Sequence, residues 1–298
     1  MFTHDRSLRI LTISTLMVAV GACSGSAPTP PVATASMTLS KTRVPLGSPL
    51  DMTYRFDVPQ SGSIPGDFRV FVQVKSADGQ TQLWQDDHDP PVPTSQWKAG
   101  QKIEYTRTRF VPTVPYIGEA TVELGLYKDD QRLSLVGPEK NDREAAAKSY
   151  KVATLTFLPS SDSLFMIMKT GWHPNEFATD DPAVTWSWTQ KSAAFSVRNP
   201  HTDATLFIEY DARPELFAGA PQQVTLYAGD QAVKTFAADS AKSALLRIPI
   251  SAAQLGPNDM TDLRLELDKT FVPAKLPAGG RDERELGIRV YHLFVEGR

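Results

Sequence analysis

One cysteine, Cys23, serves the whole 298-residue chain, so no intramolecular disulfide can form and the fold must hold by burial alone. Long apolar runs are scarce too. No segment reaches the roughly 20 consecutive apolar residues of a membrane-spanning helix. Positive charge is not in surplus: 31 Lys and Arg stand against 34 Asp and Glu, for a formal net charge of −3. That balance argues against a phosphate-backbone partner, which needs clustered Lys and Arg, so no nucleic-acid partner is expected. Catalytic signatures are missing as well. There is no Gly-x-Ser-x-Gly elbow, no His-Glu-x-x-His and no Gly-rich phosphate loop ending in Lys. No cofactor is expected.

What the chain does have begins at its first residues. Arg6 and Arg9 precede an apolar stretch from about Ile10, too short to span a bilayer, which closes on Val20-Gly21-Ala22-Cys23. An aliphatic residue at minus three, small residues at minus two and minus one, and then Cys resembles a bacterial lipoprotein signal. The resemblance implies removal of residues 1–22 and acylation of Cys23, whose chains would hold a soluble body at the membrane. It places the protein in the cell envelope. Ser24 is not the aspartate associated with inner-membrane retention, so the resemblance leans toward the outer membrane, facing periplasm or cell surface. Residues 23–36, rich in Ser, Pro, Thr and Ala, read as a flexible tether.

Beyond the tether the pattern is all-β, and two antiparallel β-sandwiches are expected. Residues 37–158 carry short alternating runs at 37–43, 50–56, 68–75, 80–85, 102–110, 120–127, 132–135 and 151–157, as in an immunoglobulin- or fibronectin-like sandwich. Asp78-Gly79 marks one hairpin and Lys128-Asp129-Asp130 another. A short helix is expected over 142–148, with Asp142 able to cap and Glu144 one turn before Lys148. Residues 158–163 have the polar, proline-punctuated composition of a boundary. A jelly-roll-like or galactose-binding-like sandwich is expected over 163–298, with strands at 164–168, 184–189, 193–198, 204–211, 222–228, 231–237, 243–249, 261–267 and 286–295. A single helical turn at 251–255 is stopped by Gly256-Pro257.

Several constellations could carry chemistry. Asp86-Asp87-His88-Asp89 sets four potential metal ligands side by side, but it lacks alternate spacing and a turn glycine, so a structural loop is the plainer reading. Trp186 and Trp188 share one strand face, where they make either a sugar-stacking platform or core packing. Trp172, in Gly171-Trp172-His173-Pro174-Asn175-Glu176, reads as a more exposed loop aromatic. Glu176, Asp180 and Asp181 could offer the two carboxylates of glycoside hydrolysis, although neighbours on one loop suit that poorly. Beyond the expected signal segment the histidines are His88, His173, His201 and His292, and three of them fall in expected loops or strand ends without a recognisable Ser or Asp partner.

Gly171-Trp172-His173, Trp186-Ser187-Trp188 and the stretch from Asp282 through Arg284 to Val290 resemble a β-sandwich module attached to bacterial glycosyltransferases and envelope-polysaccharide proteins. The resemblance implies that Asp282 and Arg284 lie near the Trp172 loop; a salt-bridged corner explains the same residues. The expected function is non-catalytic binding of envelope glycan or exopolysaccharide through Trp172, Trp186, Trp188, Asp282 and Arg284. The alternative is a structural or assembly protein meeting other proteins of a secretion or polysaccharide-export system. A glycan site needs an exposed aromatic platform, whereas a scaffold needs an apolar patch or an open strand edge.

Overall fold

The structure, a computed structural model, describes residues 30–61, 63–138, 142–277 and 279–298. Cys23 and the expected signal segment lie outside them, so the lipidation expectation is not addressed by the fold. The chain is all-β and forms two sandwiches. The first contains β1 (Thr34–Leu39), β2 (Arg43–Pro45), β3 (Pro49–Asp57), β4 (Arg69–Ser76), β5 (Gln82–Gln85), β6 (Lys102–Phe110), β7 (Gly118–Lys128), β8 (Gln131–Arg132) and β9 (Tyr150–Leu158), with helix α1 (Asp142–Ala147) before β9. One sheet runs β1-β3-β6. It faces β2-β9-β7-β4-β5, with β8 beside β7. All pairs are antiparallel except β2 with β9, which run parallel because the chain steps from one sheet to the other between β1 and β2.

Period-two alternation builds this core. Leu50, Met52, Tyr54 and Phe56 of β3 face Val70, Val72 and Val74 of β4 and Val122, Leu124 and Leu126 of β7, all buried. Gly79 closes the β4–β5 hairpin at φ +72°, where Asp78 Oδ1 accepts the Gln80 N–H at 3.0 Å. The expected tether is corrected at its end. Val32, Ala33 and Ala35 are buried, and the N–H groups of Val32 and Ala35 donate to Ser134 and Val136 carbonyls at 2.8 Å. The Pro- and Thr-rich composition hid a short apolar alternation that fills one end of the sandwich.

The second sandwich contains β10 (Met166–Met168), β11 (Glu176–Phe177), β12 (Thr185–Trp188), β13 (Ser192–Arg198), β14 (Ala204–Asp211), β15 (Gln222–Ala228), β16 (Gln231–Ala238), β17 (Ala244–Ile250), β18 (Met260–Leu267) and β19 (Arg289–Gly297). Its sheets run β10-β13-β18-β15-β16 and β11-β12-β19-β14-β17, so the chain repeatedly crosses between them in jelly-roll fashion. Phe195, Leu206, Ile208, Leu226, Leu263, Leu265 and Val295 fill the space between. Helix α2 (Ala252–Leu255) has a full capping box: Ser251 accepts from the Gln254 N–H, and the Gln254 side chain accepts from the Ser251 N–H. Among the described residues no helix is long and apolar enough to cross a membrane.

The sandwiches touch through polar and aromatic groups. Lys41 pairs with Glu296, Arg247 binds Asp51 and Thr108, and Phe110 stacks on His292 with centroids 4.2 Å apart and planes 4° from parallel. Arg247 also lies over Phe207, which is why an outward-facing phenyl ring of β14 is buried.

Candidate functional site

Strand β12 reads Thr-Trp-Ser-Trp, and period two sends Trp186 and Trp188 to one side. Register identifies that side. Ser187 opposes Val290, a core residue, while Trp188 opposes Arg289, which in turn opposes Asp211 of β14. The tryptophans therefore lie on the outer face of the sheet, and a register shift after Glu209 brings Tyr291 to the same cluster.

Asp211 anchors the cluster. It is 1% exposed, and its carboxylate accepts both Arg289 Nε at 2.8 Å and Arg289 Nη2, Arg213 Nη1 at 3.2 Å and the Tyr291 hydroxyl at 2.8 Å. Held this way, the Arg289 guanidinium lies 4.8 Å from the Trp186 ring centroid, 5.6 Å from that of Trp188 and 5.5 Å from that of Tyr291. Hydrogen bonding to Asp211 raises the Arg289 pKa. Burial, with the hydrogen bond to Asp211, pushes the Tyr291 phenol up to about 12.

Two of the expected aromatics do not make a platform. Trp188 is 7% exposed, roofed by Arg213 and set edge-on against Phe271, so it packs beneath the arginines. Trp172 is half-buried, as expected of a partly exposed aromatic, and is engaged on its inner side. Its indole N–H donates to the Ala194 carbonyl at 2.8 Å and its ring meets Phe195 edge-on at the core. Gly171 explains the approach: a Cβ there would sit 1.8 Å from the Ser192 carbonyl oxygen, at φ +85°. Asp282 and Arg284 lie, as the resemblance implied, beside the 171–176 segment that carries Trp172, and they reach it through Glu176 at its far end, next to Trp186.

Trp186 is half-buried, and its indole N–H donates to Glu176 Oε2 at 3.2 Å. Glu176 Oε1 accepts Arg284 Nη1 at 2.7 Å, and Arg284 grips Asp282 through Nε at 2.9 Å and Nη2 at 2.7 Å. Hydrogen bonds from Arg284 hold the Asp282 carboxyl at about 2. Asp282 is thereby kept as an acceptor, far from the raised pKa a general acid needs near neutrality. Asp181 caps a turn, accepting the Ala183 N–H at 3.0 Å, and Asp180 is exposed. His173 Nε2 donates to the Glu285 carbonyl at 2.7 Å.

The Asp86–Asp89 segment is a structural closure of the first sandwich. Asp86 receives Arg107 Nε and Nη2, both at 3.1 Å, and the Tyr54 hydroxyl at 3.2 Å. His88 Nδ1 donates to the Asp86 carbonyl at 2.9 Å and its Nε2 faces the Tyr105 hydroxyl at 2.8 Å. Asp87 accepts the Val72 N–H, and Asp89 pairs with Arg69. Successive residues on an extended chain point apart, so the four potential ligands do not converge, and no metal-holding group forms among the described residues.

Sequence reasoning missed Asp211, Arg213, Arg289 and Tyr291. The signal was present: Arg289-Val290-Tyr291 alternates in step with Trp186-Ser187-Trp188, but pairing the two strands requires their register.

No family model and no curated protein matches the chain. Among solved structures it is similar to an alkylpurine DNA glycosylase of Pseudomonas fluorescens bound to DNA, at 11% identity over 43% of this chain and 30% of that one, with a TM-score of 0.24. It is also similar to a beta-glucuronidase of Bacteroides uniformis, at 10% identity over 90% of this chain and 30% of that one, with a TM-score of 0.30. A collagen adhesin of S. aureus is similar at 10% identity over 90% and 96%, with a TM-score of 0.19. The chain thus spans under a third of the first two proteins, and at these scores none of the three likenesses bears on its activity.

Proposed function

We propose that this chain is a lipid-anchored, non-catalytic protein of the bacterial cell envelope whose second sandwich binds glycan at the Trp186 face. One observation carries the reading. A half-buried indole lies beside a linked Glu176–Arg284–Asp282 chain whose side chains stay 32–37% exposed, so an aromatic body and oriented acceptors and donors share one solvent-facing surface. Sugar rings offer C–H faces to the first and hydroxyls to the second. Trp186→Ala should weaken glycan binding several-fold, since stacking is worth roughly 0.5–1.5 kcal/mol beyond area burial. The measurement is a glycan panel probed with the full chain and the variant, with thermal unfolding of both as control. Equal binding by both proteins sinks the Trp186 assignment.

The anchor rests on the residues around Cys23. Cys23→Ser should leave the protein unprocessed or move it out of the membrane fraction, as judged by fractionation and labelled fatty-acid uptake. Wild-type partitioning and label uptake in that variant would remove the anchor from the reading.

A protein-assembly reading is favoured by a different observation. Among the described residues edge strand β10 pairs on one side only, and Phe165 just before it and Ile167 and Met168 within it are 52%, 45% and 42% exposed. A silent glycan panel would favour this reading.

A further inference from the structure

The outer face of the other sheet carries a separate cleft of about 670 Å³, where the α2 loop and the β15–β16 turn rise beside β10, β13 and β18. That volume suits a small ligand or a few sugar units. Its walls are aliphatic: Ile167 on β10, Leu255 at the end of α2, and Met260 at the start of β18. Ile167 and Met260 stay 45% and 36% exposed, so packing within the chain does not explain these apolar side chains. At the floor lies one polar group of three. Lys169 Nζ donates to Asp262 Oδ1 at 2.6 Å, and the Ser196 hydroxyl donates to the same oxygen. Asp262 Oδ2 takes no part in these two bonds. The Lys169 and Asp262 side chains are 44% and 66% exposed, so both heads face the cleft's solvent.

We infer that this cleft is a second ligand site, for a neutral polyhydroxylated ligand of the sugar class. A carboxylate oxygen accepts from hydroxyls and an ammonium donates to them. The two charges cancel, so the floor offers hydrogen bonds without a net field to attract an anion. The aliphatic walls suit the C–H faces of a pyranose, and among the described residues no aromatic ring lines the cleft. Loop rigidity holds the shape. The Asn199 side-chain amide donates to the Gly256 and Asn258 carbonyls at 2.8 and 2.9 Å, and the Thr261 hydroxyl donates to the Leu255 carbonyl at 2.7 Å. Hydrogen bonds from Lys169 and Ser196 lower the Asp262 pKa, which keeps it an acceptor across the neutral range. The ligand class rests on the glycan reading above, but the site lies on the opposite sheet from Trp186 and shares no residue with it.

A reporter confined to the cleft tests this. Asn258→Cys on a Cys23→Ser background carries a trifluoromethyl label at the rim, and the full chain is titrated with hexasaccharides of glucose, galactose, mannose and galacturonate while the fluorine resonance is followed. A saturable shift with a neutral hexasaccharide is expected, weakened about tenfold or more by Lys169→Met and by Asp262→Leu and unchanged by Trp186→Ala. Both substitutions fall on exposed side chains, and thermal unfolding confirms that the variants remain folded. No saturable shift with any of the four probes overturns the proposal. So does a shift that survives both substitutions, or one given by galacturonate alone. Glycan binding that leaves the label silent but is lost in Trp186→Ala overturns this site and keeps the Trp186 reading.

Discussion

Replacing Asp211 with alanine is expected to cost about 3–5 kcal/mol of stability, because it leaves the charges of Arg289 and Arg213 in a largely buried place without their common counter-ion. The Asp211 side chain is 2% exposed, and those of Arg289 and Arg213 only 20% and 24%. The damage should spread into the site. Arg289 lies over Trp186, Trp188 and Tyr291 because Asp211 fixes it there, so on the proposed function the variant should also lose Trp186-dependent glycan binding beyond what its residual folded fraction explains. Urea unfolding measures the first effect, and the glycan panel at low temperature measures the second. The pair Asp211→Leu with Arg289→Met should recover much of the stability, since exchanging a buried ion pair for apolar groups of similar volume is often neutral or favourable. A loss below about 1 kcal/mol in Asp211→Ala would show that solvent screens the cluster as it does a surface pair.

What could be seen in the sequence followed from how local its cause is. Strands β6, β14 and β15 fall where the sequence pattern puts them; β15 alternates buried and more exposed residues, whereas β14 is buried along nearly its whole length. The two-residue β11 was invisible, since Glu176 and Phe177 are strand only by pairing with Trp186 and Thr185. The run expected at 37–43 caught the second half of β1 and only the first residue of β2, because the step between sheets at Ser40-Lys41-Thr42 and the pairing of Val44 and Pro45 with β9 are not local features. The site divides along the same line. Period two correctly put Trp186 and Trp188 on one face but could not say which face, and it could not say that Arg213 and Arg289 would cover one ring more than the other. Trp172 is half-buried, in keeping with the Gly, His, Pro and Asn around it, but its engagement on one side could not be read from them: a glycine is required at 171 because the backbone passes against β13, and that close approach delivers the indole to Phe195. The resemblance placed Asp282 and Arg284 near the Trp172 loop, but the bond that puts them there, from Arg284 to Glu176, spans more than a hundred residues and exists only in the folded sheet.

Asp86→Ala is expected to cost the first sandwich about 3–5 kcal/mol, because one carboxylate satisfies groups from three directions. Arg107 holds it in a two-point grip. Arg109 Nε stands 3.0 Å from Oδ1 but off the hydrogen-bond direction, so it contributes as a charge, and Tyr54 of the core donates its hydroxyl. Burial alone would raise the Asp86 carboxyl; the Arg107 hydrogen bonds and the Arg109 and Arg107 charges outweigh it and hold the pKa below the usual carboxylate value. Burial likewise lowers the His88 pKa, keeping the ring neutral with Nδ1–H on the Asp86 carbonyl. Both shifts have the same consequence for acid stability. Each group binds its proton more readily in the unfolded chain, so each contributes stability above its unfolded pKa, about 6.5 for His and 3.9 for Asp, and loses it as pH falls through the lower folded value. Wild-type stability should therefore decline below about pH 6.5 as His88 resists protonation, and again below about pH 4 as Asp86 does. Asp86→Asn, which keeps the shape and gives up the charge, should start less stable at neutral pH and show little of the second decline. Unfolding midpoints in urea at pH 7, 5 and 3.5 read both effects. Parallel curves for wild type and Asp86→Asn across that range would mean that Asp86 is not held ionised by Arg107 and Arg109.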